Sequence, residues 1–323
     1  LLPYKQSNFG PYISQGDVNG DGMADLYMGG ASGQAGTLLI KKQRGFQTVN
    51  IAAFQKDKAY EDMESVLFDL DSDGDLDLYV VSGGNEFEQG SSLYQDRVYL
   101  NDGDGNFSRA ENALEKGPAH SGKAVTALDF DQDGDSDLVV GNRILARNYP
   151  RHAPSYLFEN REGKLYDGTE EKASALSDFG ILNDLLVTDF DGDGREDLIA
   201  LGEWTGVGFL KNTPEGFVLQ DAAAMGVPMS GWWFSAQETD ANGDGKPDYV
   251  LGNAGHNIKF SASPEKPFKV FAADFDQNGT HDIVLSKKYH DQYVPVRGRE
   301  CSSQQMPFIA QKFPSYSEFA SAS

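Results

Sequence analysis

One nonapeptide recurs six times along these 323 residues, and nothing else in the chain limits its fold as sharply. The copies are DVNGDGMAD from Asp17, DLDSDGDLD from Asp69, DFDQDGDSD from Asp129, DFDGDGRED from Asp189, DANGDGKPD from Asp240 and DFDQNGTHD from Asp274. Positions 1, 3, 5 and 9 are always Asp or Asn, and position 6 is always Gly. A repeat kept in register this often marks a chain built from one supersecondary unit stacked on copies of itself.

The flanks of the nonapeptide repeat as well. Each copy follows a short strand-like run, such as VLF before Asp69, and precedes an apolar one: LYMG, LYVV, LVVG, LIAL, YVLG or IVLS. These runs do not alternate apolar with polar, the pattern of a strand buried on both faces. A strand–turn–strand signature then recurs in LLIKKQRGFQTV, VYLNDGDGNFSR, YLFENREGKLYD and GFLKNTPEGFVL. One repeat is therefore strand, acidic loop, strand, connection, strand, turn, strand. That is the four-stranded antiparallel blade of a β-propeller.

The expected fold is all-β: a β-propeller over residues 1–290 with six recognisable repeats, in a ring of seven blades or an incomplete one. Loop starts are spaced 52, 60, 60, 51 and 34 residues apart. Only HNIKFSASPEKP separates YVLGN from the next run, so the fifth unit reads as trimmed. Residues 291–323 read as an irregular, short-helical extension on the outside, broken by Pro307 and Pro314.

Calcium wants six to eight oxygens at flexible geometry, whereas magnesium demands a tighter octahedron. Alternate carboxylates converge on one point when a loop curls, and Gly at position 6 permits the bend. The expected ligands in the first loop are Asp17, Asn19, Asp21, Met23 and Asp25. The second loop offers Asp69, Asp71, Asp73, Asp75 and Asp77, and the third Asp129, Asp131, Asp133, Asp135 and Asp137. In the fourth they are Asp189, Asp191, Asp193, Arg195 and Asp197. The fifth has Asp240, Asn242, Asp244, Lys246 and Asp248, and the sixth Asp274, Asp276, Asn278, Thr280 and Asp282. Position 7 is expected to act through its backbone carbonyl. Asn19, Asn242 and Asn278 lower the charge of their loops, so loops two, three and four should bind most tightly.

An EF-hand shares the first nine positions but needs Glu at position 12 between helices. Here position 12 is Met28, Val80, Val140, Ala200, Leu251 or Leu285, which excludes it. The nonapeptides hold 24 of the 50 acidic residues, and six calcium ions would bring the net charge from −23 to −11. Such a chain repels nucleic acid and anionic membrane. With a single cysteine, Cys301, no internal disulfide forms, and metal takes over as the staple. The chain starts Leu1-Leu2-Pro3, which reads as a processed or cut-down piece of a longer chain. No apolar run approaches the ~18 residues of a membrane span.

The chain resembles FG-GAP/VCBS repeat proteins, whose blades carry the loop D-x-[DN]-x-[DN]-G-x-x-D found in integrin-α propellers. NFGPY…GGASG, around Phe9-Gly10 and Gly29-Gly30, is similar to an FG-GAP signature. DLDLYVVSGGNE, YQDRVYLNDGDGNF and RGRECSSQQMPFIAQKFPSYSEFA resemble the bacterial ASPIC-type (cartilage acidic protein-like) group. The resemblance implies a six- to eight-bladed propeller outside the cytosol (secreted, periplasmic or at the cell surface), with calcium in the strand-connecting loops.

A binding scaffold for a protein or a polysaccharide is the first functional expectation, since propeller loops present variable surfaces. Its candidate contacts are Tyr94, Tyr149, Tyr156, Trp204, Trp232 and Trp233, each of which core packing would also explain. The alternative is a calcium-dependent, lyase-like enzyme acting on polysaccharide. Its base would be Lys, Arg or His, but His120, His152, His256, His281 and His290 form no motif. Asn142-Arg143 with Arg147 to His152 reads as a solvated basic loop. Glu61-Asp62-Met63-Glu64 reads either as an acidic lead into a strand or as catalytic.

Overall fold

A computed structural model describes residues 3, 9–114, 119–227, 230–258 and 260–322. Leu1 and Leu2, Asn8 of the NFGPY signature and Lys259 of the fifth connection lie outside the described residues. The chain divides into two compact units.

The larger unit, Gln6–Arg147 with His152–Asn253, is a series of antiparallel sheets laid down in chain order. The first contains β1 (Ile13–Gly16), β2 (Asp25–Met28), β3 (Thr37–Lys41) and β4 (Phe46–Val49). After α1 (Ala52–Lys56) the second contains β5 (Asp62–Phe68), β6 (Asp77–Ser82), β7 (Arg97–Leu100) and β8 (Ser108–Arg109). The third contains β9 (Ser121–Leu128), β10 (Asp137–Ile144), β11 (Tyr156–Asn160) and β12 (Leu165–Asp167). Two short helices, α2 (Thr169–Lys172) and α3 (Ser174–Ser177), lead into the fourth sheet, formed by β13 (Ile181–Thr188), β14 (Asp197–Thr205), β15 (Gly208–Thr213) and β16 (Gly216–Leu219). These are four-stranded blades of the propeller type, each strand pairing with its chain neighbour. The four strand–turn–strand signatures form β3–β4, β7–β8, β11–β12 and β15–β16.

The fifth repeat departs from the pattern. Its β17 (Gly231–Thr239) and β18 (Asp248–Asn253) add to the fourth sheet, where Glu203 pairs with Trp232 and Thr205 with Gly231. Six repeats are thus carried by five sheets among the described residues.

In the second, third and fourth blades the second strand is the core. All residues of β6 and β10 are buried. Side chains alternate between the two faces of a strand, and both faces here are covered. Leu78 and Val80 pack toward the first sheet with Tyr27, Leu38 and Phe54. Tyr79 and Val81 pack the other way, with Leu138, Val140 and Tyr156 of the third. In the same way Leu198 and Ala200 face the third sheet, while Ile199 and Leu201 pack toward Trp233 and Leu251. Each such side chain contributes ~1.5–3 kcal/mol by leaving water. The apolar run of β18 breaks this rule: Tyr249 and Leu251 pack inward, but Val250 is 62% exposed.

The smaller unit comprises Leu1–Lys5, Asn148–Arg151 and Ala254–Ser323. It holds β19 (Lys269–Ala273), β20 (Asp282–Tyr289) and β21 (Gln292–Pro295), paired in that order. Three short helices follow: α4 (Arg299–Gln305), α5 (Phe308–Lys312) and α6 (Tyr316–Ala320), with Pro307 and Pro314 between them. Ser315 starts α6 with a capping box closed by Glu318. Among the described residues no helix is long and apolar enough to cross a membrane.

Candidate metal centres

Every nonapeptide joins the first strand of its repeat to the second, and position 9 is the first residue of that second strand. The pairs Gly16–Asp25, Phe68–Asp77, Leu128–Asp137, Thr188–Asp197, Thr239–Asp248 and Ala273–Asp282 close the six loops. Position 12 lies in the second strand each time, as the exclusion of an EF-hand requires.

The loop curls through two left-handed residues. All six position-6 glycines have φ between 78° and 94°. Position 4 is left-handed too, and there the sequence shows Gly20, Gly192 and Gly243 but also Ser72, Gln132 and Gln277. A side chain in that region costs ~1–2 kcal/mol, so these three loops hold strain where carboxylates converge. Sequence reasoning found position 6 and missed position 4.

Two recurrent hydrogen bonds hold the curl. The position-6 N–H donates to Oδ2 of the position-1 Asp, at 2.7 Å from Gly22 and at 3.0 Å from Gly74. Gly194, Gly245 and Gly279 repeat it. The position-2 N–H donates to Oδ2 of the position-9 Asp in all six loops, from Val18, Leu70, Phe130, Phe190, Ala241 and Phe275.

These bonds gather the other oxygens at one point. Asp69, Asp71 and Asp77 each offer an oxygen, all within 4.8 Å of one another. The same holds for Asp129, Asp131 and Asp137, for Asp189, Asp191 and Asp197, and for Asp274, Asp276 and Asp282. In the second and third loops, Oδ1 of Asp69, Asp75, Asp129 and Asp135 is buried with no hydrogen-bond partner. An unmatched buried carboxylate oxygen is costly. Burial, then the neighbouring carboxylates, raises Asp75 and pushes Asp135 up to about 6. Burial also lifts Asp77 and Asp137 to about 7. The chemistry these groups lack is a cation, and an all-oxygen set of this kind fits calcium.

Position 7 also brings side-chain oxygens to two of the loops. In loops two and three its side chain, Asp75 or Asp135, supplies one of the buried unmatched oxygens. Arg195 of loop four turns away instead. It donates to Gln132 Oε1 at 2.7 Å and to the Phe130 carbonyl at 3.0 Å, while Gln132 returns a bond to the Gly194 carbonyl. Glu196 accepts from the Asp129 N–H at 2.8 Å, so the fourth loop clasps the third.

A second set of residues, not singled out from the sequence, links the loops across sheets. Asn101, Asn160 and Asn212 lie at the end of the third strand of their blades: Asn101 just after β7, Asn160 last in β11 and Asn212 next to last in β15. Their backbone N–H groups donate to Oδ1 of Asp77, Asp137 and Asp197 in their own blade. Their side-chain amides donate, at 2.8 Å each, to the position-2 carbonyls of Val18, Leu70 and Phe130, one sheet back. The signal was present as YLN, FEN and LKN at the start of each turn. In the first blade Lys41 takes the backbone part alone, donating to Asp25 Oδ1.

Two clusters read from the sequence are corrected. Arg143 is not on a solvated loop: β10 carries it into the interior, where it pairs with Glu203 and lies 4.1 Å from the Phe9 ring centre. Asp62 does not precede a strand but starts β5, pairing with Arg97 and accepting from Tyr27 Oη and the Gly30 N–H. Glu64, in the same strand, accepts from the Val125 N–H.

Of the six aromatics, Tyr94, Tyr149, Tyr156 and Trp232 are buried, and Trp204 meets Trp232 edge-on with 5.0 Å between rings. Trp233 packs against the Ile199 cluster. Tyr94 and Tyr156 line one pocket between the second and third sheets with Asp96, Glu111, His120 and Asn142. His120 Nδ1 is buried there without a hydrogen-bond partner, and burial lowers its pKa.

A family model described as an FG-GAP-like repeat matches residues 17–80, 69–140 and 189–251. Among curated proteins no match is found. Three solved structures are similar at low identity. A lectin of Agrocybe aegerita, described as recognising non-reducing terminal N-acetylglucosamine, is 17% identical with a TM-score of 0.48, over 88% of this chain and 79% of that one. The V. cholerae biofilm matrix protein Bap1 is 16% identical with a TM-score of 0.37, over 90% and 41%. The exotype rhamnogalacturonan lyase YesX is 13% identical with a TM-score of 0.37, over 83% and 54%. The chain thus spans about half the length of the last two.

Proposed function

The chain belongs to the FG-GAP-like repeat family, and from that premise we propose that it is a calcium-loaded binding scaffold that works outside the cytosol. Four buried carboxylate oxygens without partners, on Asp69, Asp75, Asp129 and Asp135, carry the calcium part of the reading. Bound calcium would neutralise the carboxylates of each loop and tie the first strand of a blade to its second. Extracellular calcium is plentiful enough to keep such sites filled, which favours that compartment. Within the family we propose kinship with the ASPIC-type proteins, a reading supported by the resemblance of the end piece RGRECSSQQMPFIAQKFPSYSEFA.

The partner is a protein or a polysaccharide. The pocket beside Tyr94 and Tyr156 suits a sugar, because aromatic residues line it together with the polar Asp96, His120 and Asn142. A glycan array, run with calcium and then with chelator, tests this. Binding that needs calcium and falls in His120→Ala supports it, and an array blank in both conditions overturns the glycan reading.

One observation favours a second reading, a polysaccharide lyase. Burial pushes Asp96 up to about 6 and lowers the pKa of His120 in the same pocket, so two titratable groups shifted by burial share one cleft. Absence of unsaturated-uronate absorbance across acidic polysaccharides would sink it.

A further inference from the structure

The fourth loop carries a cation of its own. Lys211 stands in β15, one residue before Asn212. Its Nζ pairs with Asp191 Oδ2 and, at 2.9 Å, with Asp193 Oδ2, the carboxylates of positions 3 and 5. The equivalent places before Asn101 and Asn160 hold Leu100 and Glu159, neither of them cationic. Asp189 at position 1 is also provided for, accepting from the N–H groups of Gly192, Asp193 and Gly194. Among the described residues no carboxylate oxygen of this loop is buried without a partner, whereas loops two and three, which have the same number of acidic residues, hold two such oxygens each.

We propose that the Lys211 ammonium is the resident cation of the fourth loop, so that this repeat holds its shape without metal and takes calcium only by displacing the lysine. The inference rests on the calcium reading of the second and third loops. An ammonium brings one positive charge and three donors to a site built for two charges and six or more oxygens. It is weaker than calcium ion for ion, but it is tethered, and a tethered group competes at a high effective concentration. Five acidic residues in the nonapeptide suggested a strong site. With Lys211 inside and Arg195 turned toward the third loop, calcium enters the fourth loop after loops two and three.

The test uses the full chain, with Ca2+ as the probe and two variants, Lys211→Met and Lys211→Arg. Calcium binding is followed by titration calorimetry, and amide hydrogen exchange is compared in chelator and in calcium. In wild type, the amides of Gly192 to Arg195 should stay protected in chelator while those of Gly74 and Gly134 lose protection. Lys211→Met should make the fourth loop chelator-sensitive and tighten one site by at least ~10-fold. Lys211→Arg, which keeps the charge, should behave as wild type. Unchanged isotherm and exchange in Lys211→Met, with loops two and three still binding, would overturn the inference and leave the calcium reading intact. A wild type that takes up no calcium would overturn the calcium reading; loss of fourth-loop protection in metal-free Lys211→Met would then still support the resident lysine, and its retention would overturn that too.

Discussion

The side-chain amide of Asn160 donates to the backbone carbonyl of Leu70, 90 positions earlier, at 2.8 Å across two sheets. The same residue receives the turn of its own hairpin, since its Oδ1 accepts from the Gly163 N–H at 3.1 Å. Truncation therefore leaves two backbone groups without partners in a largely buried place. Asn160→Ala should cost about 1–3 kcal/mol in denaturant unfolding. A loss under half a kcal/mol would mean water replaces the amide.

Removing metal should be felt by the whole molecule. Occupancy at 100-fold excess over Kd stabilises by ~2.7 kcal/mol per site. Two strong sites, at Asp69 and Asp129, should make chelator lower Tm by roughly 10 °C or more in thermal melts. Asp69→Asn with Asp129→Asn should shrink that difference. Identical melts in chelator and calcium would remove metal from the account.

Acidity should act through Glu64, away from the loops. Burial first, then the Asp184 carboxylate of β13, raises it to about 7, against the Val125 N–H and the Lys123 ammonium of β9. The folded state thus holds this proton more tightly than the unfolded chain. The proton's contribution is full below about pH 4.5 and is lost as pH climbs through about 7. Gln at this position keeps an acceptor for Val125 and never ionises. Glu64→Gln should be more stable than wild type at pH 8, by up to ~3 kcal/mol, with the gap closing toward pH 5. Parallel stability curves across that range would contradict the assignment.

The interior ion pair should be less tolerant than any surface pair. Arg143 and Glu203 are 3% and 0% exposed at their side chains. Glu203→Ala leaves a buried guanidinium without its carboxylate and should cost ~3–5 kcal/mol. Arg147→Ala, which breaks the exposed pair with Glu88, should cost ~1 kcal/mol or less. Chemical denaturation of the two variants side by side checks the contrast.

Much of the blade was legible because burial on both faces writes itself into sequence as an unbroken apolar run, and Leu78–Val81 or Leu138–Val140 obey it. The glycines of position 6 were legible because a left-handed residue usually needs one. Position 4 was not, since Ser72, Gln132 and Gln277 accept that conformation under tertiary constraint. Arg143 was misread because its partner lies 60 residues on, and no local pattern announces an ion pair at that distance. Lys211 was missed for a related reason. Its neighbours Asp191 and Asp193 are set by the path of β15 beside the loop, not by spacing along the chain.

The amide links between loops all point one way: Asn101 to Val18, Asn160 to Leu70 and Asn212 to Phe130. Each of the first three loops therefore waits for a hairpin that is synthesised later than itself. A chain leaving the ribosome would latch these three loops in order, each closed only when the hairpin of the following blade arrives.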